Sequence, residues 1–139
     1  MEPIKRLNSL IENLFTMEKE RKENIVRLRQ LYKELEIDKK VDNFEELFTF
    51  NAINIAGLSL QRESLLTPQP GRYLQIIGIK KSENRSKNIN LRYFGKAEKI
   101  DPALRAKAAE FVLRWRLEKG FLGVNNYREL LHELQNKVG

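Results

Sequence analysis

Basic residues and an aromatic ring follow one another closely in "IKKSENRSKNINLRYFGK", residues 79 to 96. Lysine and arginine neutralise phosphates, and a ring placed among them can stack on a base or sugar. This spacing predicts a surface that contacts nucleic acid. An acidic protein is the other partner whose charge is complementary to it. The candidate contact residues are Lys80, Lys81, Arg85, Lys87, Arg92, Phe94 and Lys96.

A second interpretation of the same stretch involves no ligand. Basic residues at a hairpin tip protect strand edges from unwanted pairing and keep the hairpin soluble. Under this interpretation Phe94 packs beneath the helix that follows at Asp101.

The distribution of charge along the chain favours a ligand. The net charge is +7, yet residues 72 to 119 alone carry 13 basic and 5 acidic side chains, a net +8. Residues 1 to 47 have a net charge of −1. Basic charge concentrated in one region is a physical argument for an acidic partner, although it says nothing about fold.

Catalytic chemistry is hard to assemble from these residues. The chain contains no cysteine and one histidine, His132, and it has no glycine-rich phosphate loop. We therefore predict a non-catalytic protein with no cofactor and no metal site. The remaining enzymatic alternative is a metal-dependent nuclease, in which carboxylates converge on a hard cation. Its candidate ligands are Glu63, Glu98 and Asp101.

The basic residues must be positioned by two strands. Residues 73 to 81 have apolar residues at both odd and even positions, as in a strand covered on both faces. Residues 88 to 96 alternate, which places Ile89, Leu91 and Tyr93 on one side of a strand and Arg92, Phe94 and Lys96 on the other. The polar stretch "SENRSK" then forms a six-residue hairpin tip. Further alternation in "TFNAINIAGLSLQ" predicts a small antiparallel sheet over residues 48 to 98.

A heptad pattern dominates the beginning of the chain. Apolar residues recur at spacings of three and four, and residues 9 to 41 contain neither glycine nor proline. This predicts one long coiled-coil-like helix over residues 1 to 40 that forms a homodimer. The alternative is an amphipathic helix that packs on its own sheet. The predicted dimerisation residues are Ile4, Leu7, Ile11, Leu14, Ile25, Leu28, Tyr32 and Leu35.

Two helices are predicted in the last third of the chain. Asp101 and Pro102 begin the first, which runs to residue 119 before Gly120, and the second covers residues 126 to 137. The predicted fold is α+β: a long N-terminal helix, a small antiparallel sheet with a basic hairpin, and a C-terminal helical pair. Residues 41 to 139 form its single globular domain.

Together these patterns predict a non-catalytic protein associated with nucleic acid or with regulation. The alternative is a coiled-coil assembly or adaptor protein that binds other proteins through its N-terminal helix. No apolar run reaches the length of about 20 residues that a membrane span needs. We expect a cytoplasmic or otherwise intracellular location.

Overall fold

Along the chain, one long helix precedes a three-stranded sheet and another long helix follows it. The computed structural model describes residues 2–138, except for the side chains of residues 2 and 10–15. The helices are α1 (Glu2–Glu34) and α2 (Pro102–Val138). The strands are β1 (Ala52–Ala56), β2 (Tyr73–Ser82) and β3 (Arg85–Lys96). Short 3-10 helices occupy Ile37–Lys39, Phe44–Thr49, Arg62–Ser64 and Ala97–Lys99.

The sheet is antiparallel, with strand order β1-β2-β3, and one of its faces carries the hydrophobic core. Leu74 and Ile76 of β2 point to this inner face and are fully buried. The indole N–H of Trp115 in α2 donates to the carbonyl of Leu47 at 2.8 Å, which joins α2 to the segment before β1. Helix α1 also contributes to this core, through Leu28, Leu31, Tyr32 and Leu35.

Polar contacts hold α1 and α2 side by side in antiparallel orientation. Two nitrogens of Arg27 donate to the two carboxylate oxygens of Glu110 at 3.0 and 2.9 Å. Buried Asn24 donates to the carbonyl of Arg114 at 3.0 Å, and one turn further Arg21 forms an ion pair of 2.9 Å with buried Glu118. Because these contacts are directional, they fix how far each helix is shifted and rotated against the other.

The predicted arrangement of the helices is wrong. The longest helix within residues 2–138 is the C-terminal α2, and it replaces the predicted pair over residues 101 to 119 and 126 to 137. Gly120, which we expected to end a helix, lies inside it. A glycine in a helix costs only about 1 kcal/mol relative to alanine. Contacts with α1 on both sides of Gly120 offset that cost, since Arg21 meets Glu118 before it and Met17 lies near Val124 after it.

No helix within residues 2–138 combines the length and the apolar character that crossing a membrane requires.

Replacing Gly120 and Gly123 by alanine should stabilise the protein. A Cβ atom built at either position meets no atom within 4 Å, and neither glycine has a positive φ. Each substitution should therefore raise the free energy of unfolding by up to about 1 kcal/mol. Chemical denaturation followed by circular dichroism would measure it. If Gly120 instead ended a helix in the left-handed conformation, alanine there would destabilise the protein.

Replacing Glu110 by glutamine should destabilise the protein in a pH-dependent manner. Hydrogen bonds from Arg27, and further ones from Arg114, hold the pKa of Glu110 below its ordinary value. The ionised carboxylate therefore stabilises the fold fully above the pKa of the unfolded state, about 4.3, and this contribution is lost as the pH falls through the folded-state pKa. At neutral pH the loss should be about 1 to 3 kcal/mol.

Glu23→Gln is the matched control, because the Glu23–Lys19 pair is exposed and 4.0 Å long. We expect it to change the free energy of unfolding by less than about 0.5 kcal/mol. Equal losses for the two variants, or a Glu110→Gln loss that does not shrink as the pH falls, would contradict the assigned role of Glu110.

Candidate nucleic-acid interface

The basic hairpin has a tighter turn than the sequence indicated. The predicted six-residue tip is wrong, because β2 extends to Ser82 and β3 begins at Arg85. Only Glu83 and Asn84 form the turn, and Glu83 adopts a φ of 50°. The basic residues that we placed in a polar tip therefore lie on paired strands, which hold them at fixed spacings.

Two lysines face each other across this hairpin. Lys80 of β2 is the direct partner of Lys87 of β3, which puts their Cβ atoms about 5 Å apart on the same side of the ribbon. Lys80 also lies over the ring of Phe50, 4.8 Å from its centroid. Like charges placed directly opposite each other destabilise a sheet. The fold accepts this cost, and a bound anion would remove it.

The hairpin cations have no acidic partner among the described residues. The ion pairs within residues 2–138 include none from Lys80, Lys81, Arg85 or Lys87. Lys81, Arg85 and Lys87 are exposed, and Glu83 is the only acid in the hairpin. Their positive charge is therefore available to a ligand.

The basic residues of α2 up to Lys119, by contrast, contact their own chain. Arg114 and Lys107 pair with Glu110 and Glu34, at 2.7 and 3.2 Å. The others donate to backbone carbonyls: Arg105 to Ala97, Arg116 to Ile53, and Lys119 to Phe48. The net +8 of residues 72 to 119 thus includes helix cations that contact their own chain and hairpin cations that have no acidic partner among the described residues.

Two β-bulges change which side chains of β3 face outward. The pairing of β2 with β3 skips Leu91 and Phe94, so that at each point two residues of β3 oppose one of β2. Our expectation that Phe94 points away from the core is therefore wrong. Phe94 packs against the core, and the adjacent Tyr93 is exposed instead.

Arg92 serves the fold as well. Its Nε donates to the carbonyl of Leu35 at 2.9 Å, and its guanidinium lies 3.7 Å from Glu36 and over the ring of Phe94. These contacts attach β3 to the end of α1. Arg92 therefore has an acidic partner within the chain, unlike the four hairpin cations.

Tyr73 and Tyr93 form an exposed aromatic pair on the outer face of the sheet. Their ring centroids are 5.9 Å apart, and the side chains are 44% and 49% exposed. Lys96 is the strand partner of Tyr73, and beside the pair Asn90 donates to Gln75 at 3.0 Å. The sequence did not predict this pair of exposed tyrosines. The two aromatic residues were visible, but nothing in the sequence placed the bulge that turns Tyr93 outward.

This outer face forms a continuous track along the ribbon. Lys81 lies on the same face as the tyrosines, at the other end of β2. At about 3.3 Å per residue, the distance from Tyr73 to Lys81 is about 26 Å. The track is therefore long enough for several nucleotides, with polar Asn88 and Asn90 between its aromatic and basic ends.

The predicted dimerisation residues occupy different environments. Leu28, Tyr32 and Leu35 are buried in the core of the single chain, and Ile25 packs against that core. The Tyr32 hydroxyl donates to the carbonyl of Val41, and burial raises its pKa. Ile4 and Leu7 are exposed. The side chains of Ile11 and Leu14 lie outside the described residues.

Two of the three carboxylates considered for a nuclease site, Glu98 and Asp101, have structural partners. Glu98 accepts a hydrogen bond from the backbone N–H of Gly71 at 2.8 Å, and Asp101 accepts one from that of Ala103 at 3.1 Å, as an N-cap of α2 does. Over the described part of the chain, acidic and histidine side chains do not gather into a group of three that could hold a metal.

Comparison of the chain with protein-family models, curated proteins and solved structures finds no match. What can be inferred about function therefore comes from the residues and their geometry.

Replacing Lys87 by glutamate should stabilise the fold. The substitution converts the Lys80–Lys87 pair into opposite charges at the same cross-strand position. We expect the free energy of unfolding to rise by about 0.2 to 1 kcal/mol, as measured by chemical denaturation. Lys33→Glu is the control: it makes the same change of charge at an exposed position of α1, where no pair of like charges on neighbouring strands is removed. It should therefore not give the same gain in stability. A decrease in stability for Lys87→Glu would contradict the strand register given above.

Proposed function

We propose that this protein binds nucleic acid through its basic hairpin and the adjoining outer face of the sheet, without catalysing a reaction. One observation carries the proposal: four hairpin cations that have no acidic partner within residues 2–138 are held on paired strands, and these strands also carry an exposed tyrosine pair. The intracellular location expected from the sequence belongs to the same proposal.

Phosphate groups fit the hairpin because they relieve its internal repulsion. A phosphate near Lys80 and Lys87 would neutralise both ammonium groups, whose mutual repulsion the free protein must tolerate. Binding would also release the counterions condensed on the nucleic acid, which is the main source of affinity in such contacts. The rigid two-residue turn lowers the entropy lost when the cations are ordered around a ligand.

The tyrosine pair favours single-stranded over double-stranded nucleic acid. Exposed rings on a sheet can stack with unpaired bases, and such stacking contributes about 1 to 3 kcal/mol per base. Bases inside a duplex are not available to Tyr73 and Tyr93. We therefore propose a single strand that lies along the outer face, with bases on the tyrosines and phosphates directed towards Lys81 and Lys96. It continues around the hairpin turn to Lys80 and Lys87, which lie on the opposite face.

One alternative is an acidic protein as the ligand of the same cations. The adaptor function is a separate alternative, in which the N-terminal helix and the sheet edge bind other proteins and the hairpin charges have little role. An acidic protein would use the charge but would have no need of the stacking surface. Nucleic acid uses both features, and we prefer it for that reason.

The test is fluorescence anisotropy with labelled single-stranded and double-stranded DNA and RNA, repeated between about 50 and 200 mM salt. The wild type should bind single strands more tightly, with log affinity falling linearly against log salt concentration. Replacing Lys81, Arg85 and Lys87 by alanine should make that slope less negative by about 2, at about 0.7 for each phosphate that is no longer neutralised.

A matched control removes equal charge elsewhere. Lys5, Lys22 and Lys33 on α1 are exposed and form no ion pair among the described residues, so their triple alanine variant keeps the same net charge as the hairpin variant. We expect it to retain most of the slope. Equal effects of the two variants would exclude the hairpin as the site, and no binding at low salt would exclude the proposed function and favour the adaptor.

A further inference from the structure

Helix α2 carries a regular row of apolar residues along its exposed surface. The row, called the α2 seam below, consists of Leu113, Leu117, Val124, Tyr127, Leu131, Leu134 and Val138, and the exposed fractions of these side chains are between 39% and 80%. Including Gly120, the spacing alternates strictly between four and three, as in a heptad repeat. The seam covers nearly four heptads, which is the length at which such a pattern indicates a coiled coil.

The α2 seam points away from the hydrophobic core. At 100° per residue, Leu113 and Leu117 lie on the side of α2 opposite Trp115, which is buried in the core. Helix α1 approaches from a third side, through Glu110 and Glu118. Each apolar seam residue is at least 39% exposed in the structure of residues 2–138, although Val124 lies near Met17 of α1.

An apolar stripe of this length on a water-exposed helix indicates an interaction surface. It continues into an apolar groove of about 330 Å³, in which Leu65 and Leu66 lie beside Leu113 and Leu117. Nucleic acid does not suit such a surface, since the seam itself contains no cation. Its heptad period matches another helix of the same period.

We infer that the α2 seam binds the seam of a second copy of this chain, as a parallel two-stranded coiled coil. In such a coil the residues that flank the seam face the partner's flanking residues five positions further on. The facing pairs would be Arg116 with Phe121, Gly123 with Arg128, and Leu130 with Gln135. None of these pairs opposes like charges, so charge repulsion between the flanks does not disfavour the parallel coil.

Antiparallel pairing fits less well. With apolar layers matched, it would place Arg116 opposite Lys137 of the second copy, at both ends of the coil. Like charges that face each other across a coiled coil disfavour that orientation. The inferred interface also differs from the α1 seam predicted from the sequence, and it does not depend on the proposed function.

Sedimentation equilibrium of the full chain, across a wide range of concentration, tests the inference. The wild type should show twice the mass of one chain. Leu131→Glu should raise the dissociation constant by at least about 100-fold, because each dimer loses two buried leucines. Leu122→Glu is the control, since Leu122 is exposed on the same helix but lies outside the seam. Circular dichroism should show that both variants remain folded.

Orientation is tested with a single introduced cysteine, because the natural chain has none. Leu134→Cys should form a disulfide between two copies under mild oxidation, since a parallel coil places the two positions in one layer. Leu122→Cys should not. A monomeric wild type, or a dimer that Leu131→Glu leaves intact and Leu7→Glu dissociates, would overturn the interface. A dimer without the Leu134→Cys cross-link would overturn the parallel orientation.

Discussion

The antiparallel contact between α1 and α2 sets the position of everything else in the protein. Its hydrogen bonds join residues 83 to 97 positions apart along the chain, and buried Asn24 and Glu118 lie among them. Buried polar groups are costly unless they are paired, so the register of the two helices is tightly specified. This register turns Leu28 into the core and brings Trp115 against Leu47. The sheet then closes the core from the other side.

Among the described residues, the hairpin keeps positive charge that has no acidic partner. The cations of α2 up to Lys119 contact carboxylates and backbone carbonyls of their own chain, and Arg92 holds β3 to the end of α1. Lys80 and Lys87, in contrast, repel each other. Proteins tend to accept such local costs where a ligand binds. The distribution of ion pairs thus separates structural charge from charge that is free to act.

Local features could be predicted from the sequence, and long-range ones could not. Alternation and polar turn residues located β2 and β3 to within a few residues, because strand formation there follows local pattern. The predicted helix end at Gly120 was wrong because the local preference against glycine, about 1 kcal/mol, is weaker than packing against α1. That helix lies about 100 residues away along the chain. At the site, the basic residues were evident, but a bulge exchanged the orientations of Tyr93 and Phe94.

The separation of α1 from α2 along the chain has a consequence during synthesis on the ribosome. The hairpin can close within microseconds of its emergence, since only two residues connect its strands. Helix α1 must wait until α2 has been translated, and until then the core around Leu28, Leu31 and Leu35 lacks the side chains of α2. During that interval the nascent chain exposes an amphipathic helix to solvent, so its yield depends on how well this helix is shielded from aggregation.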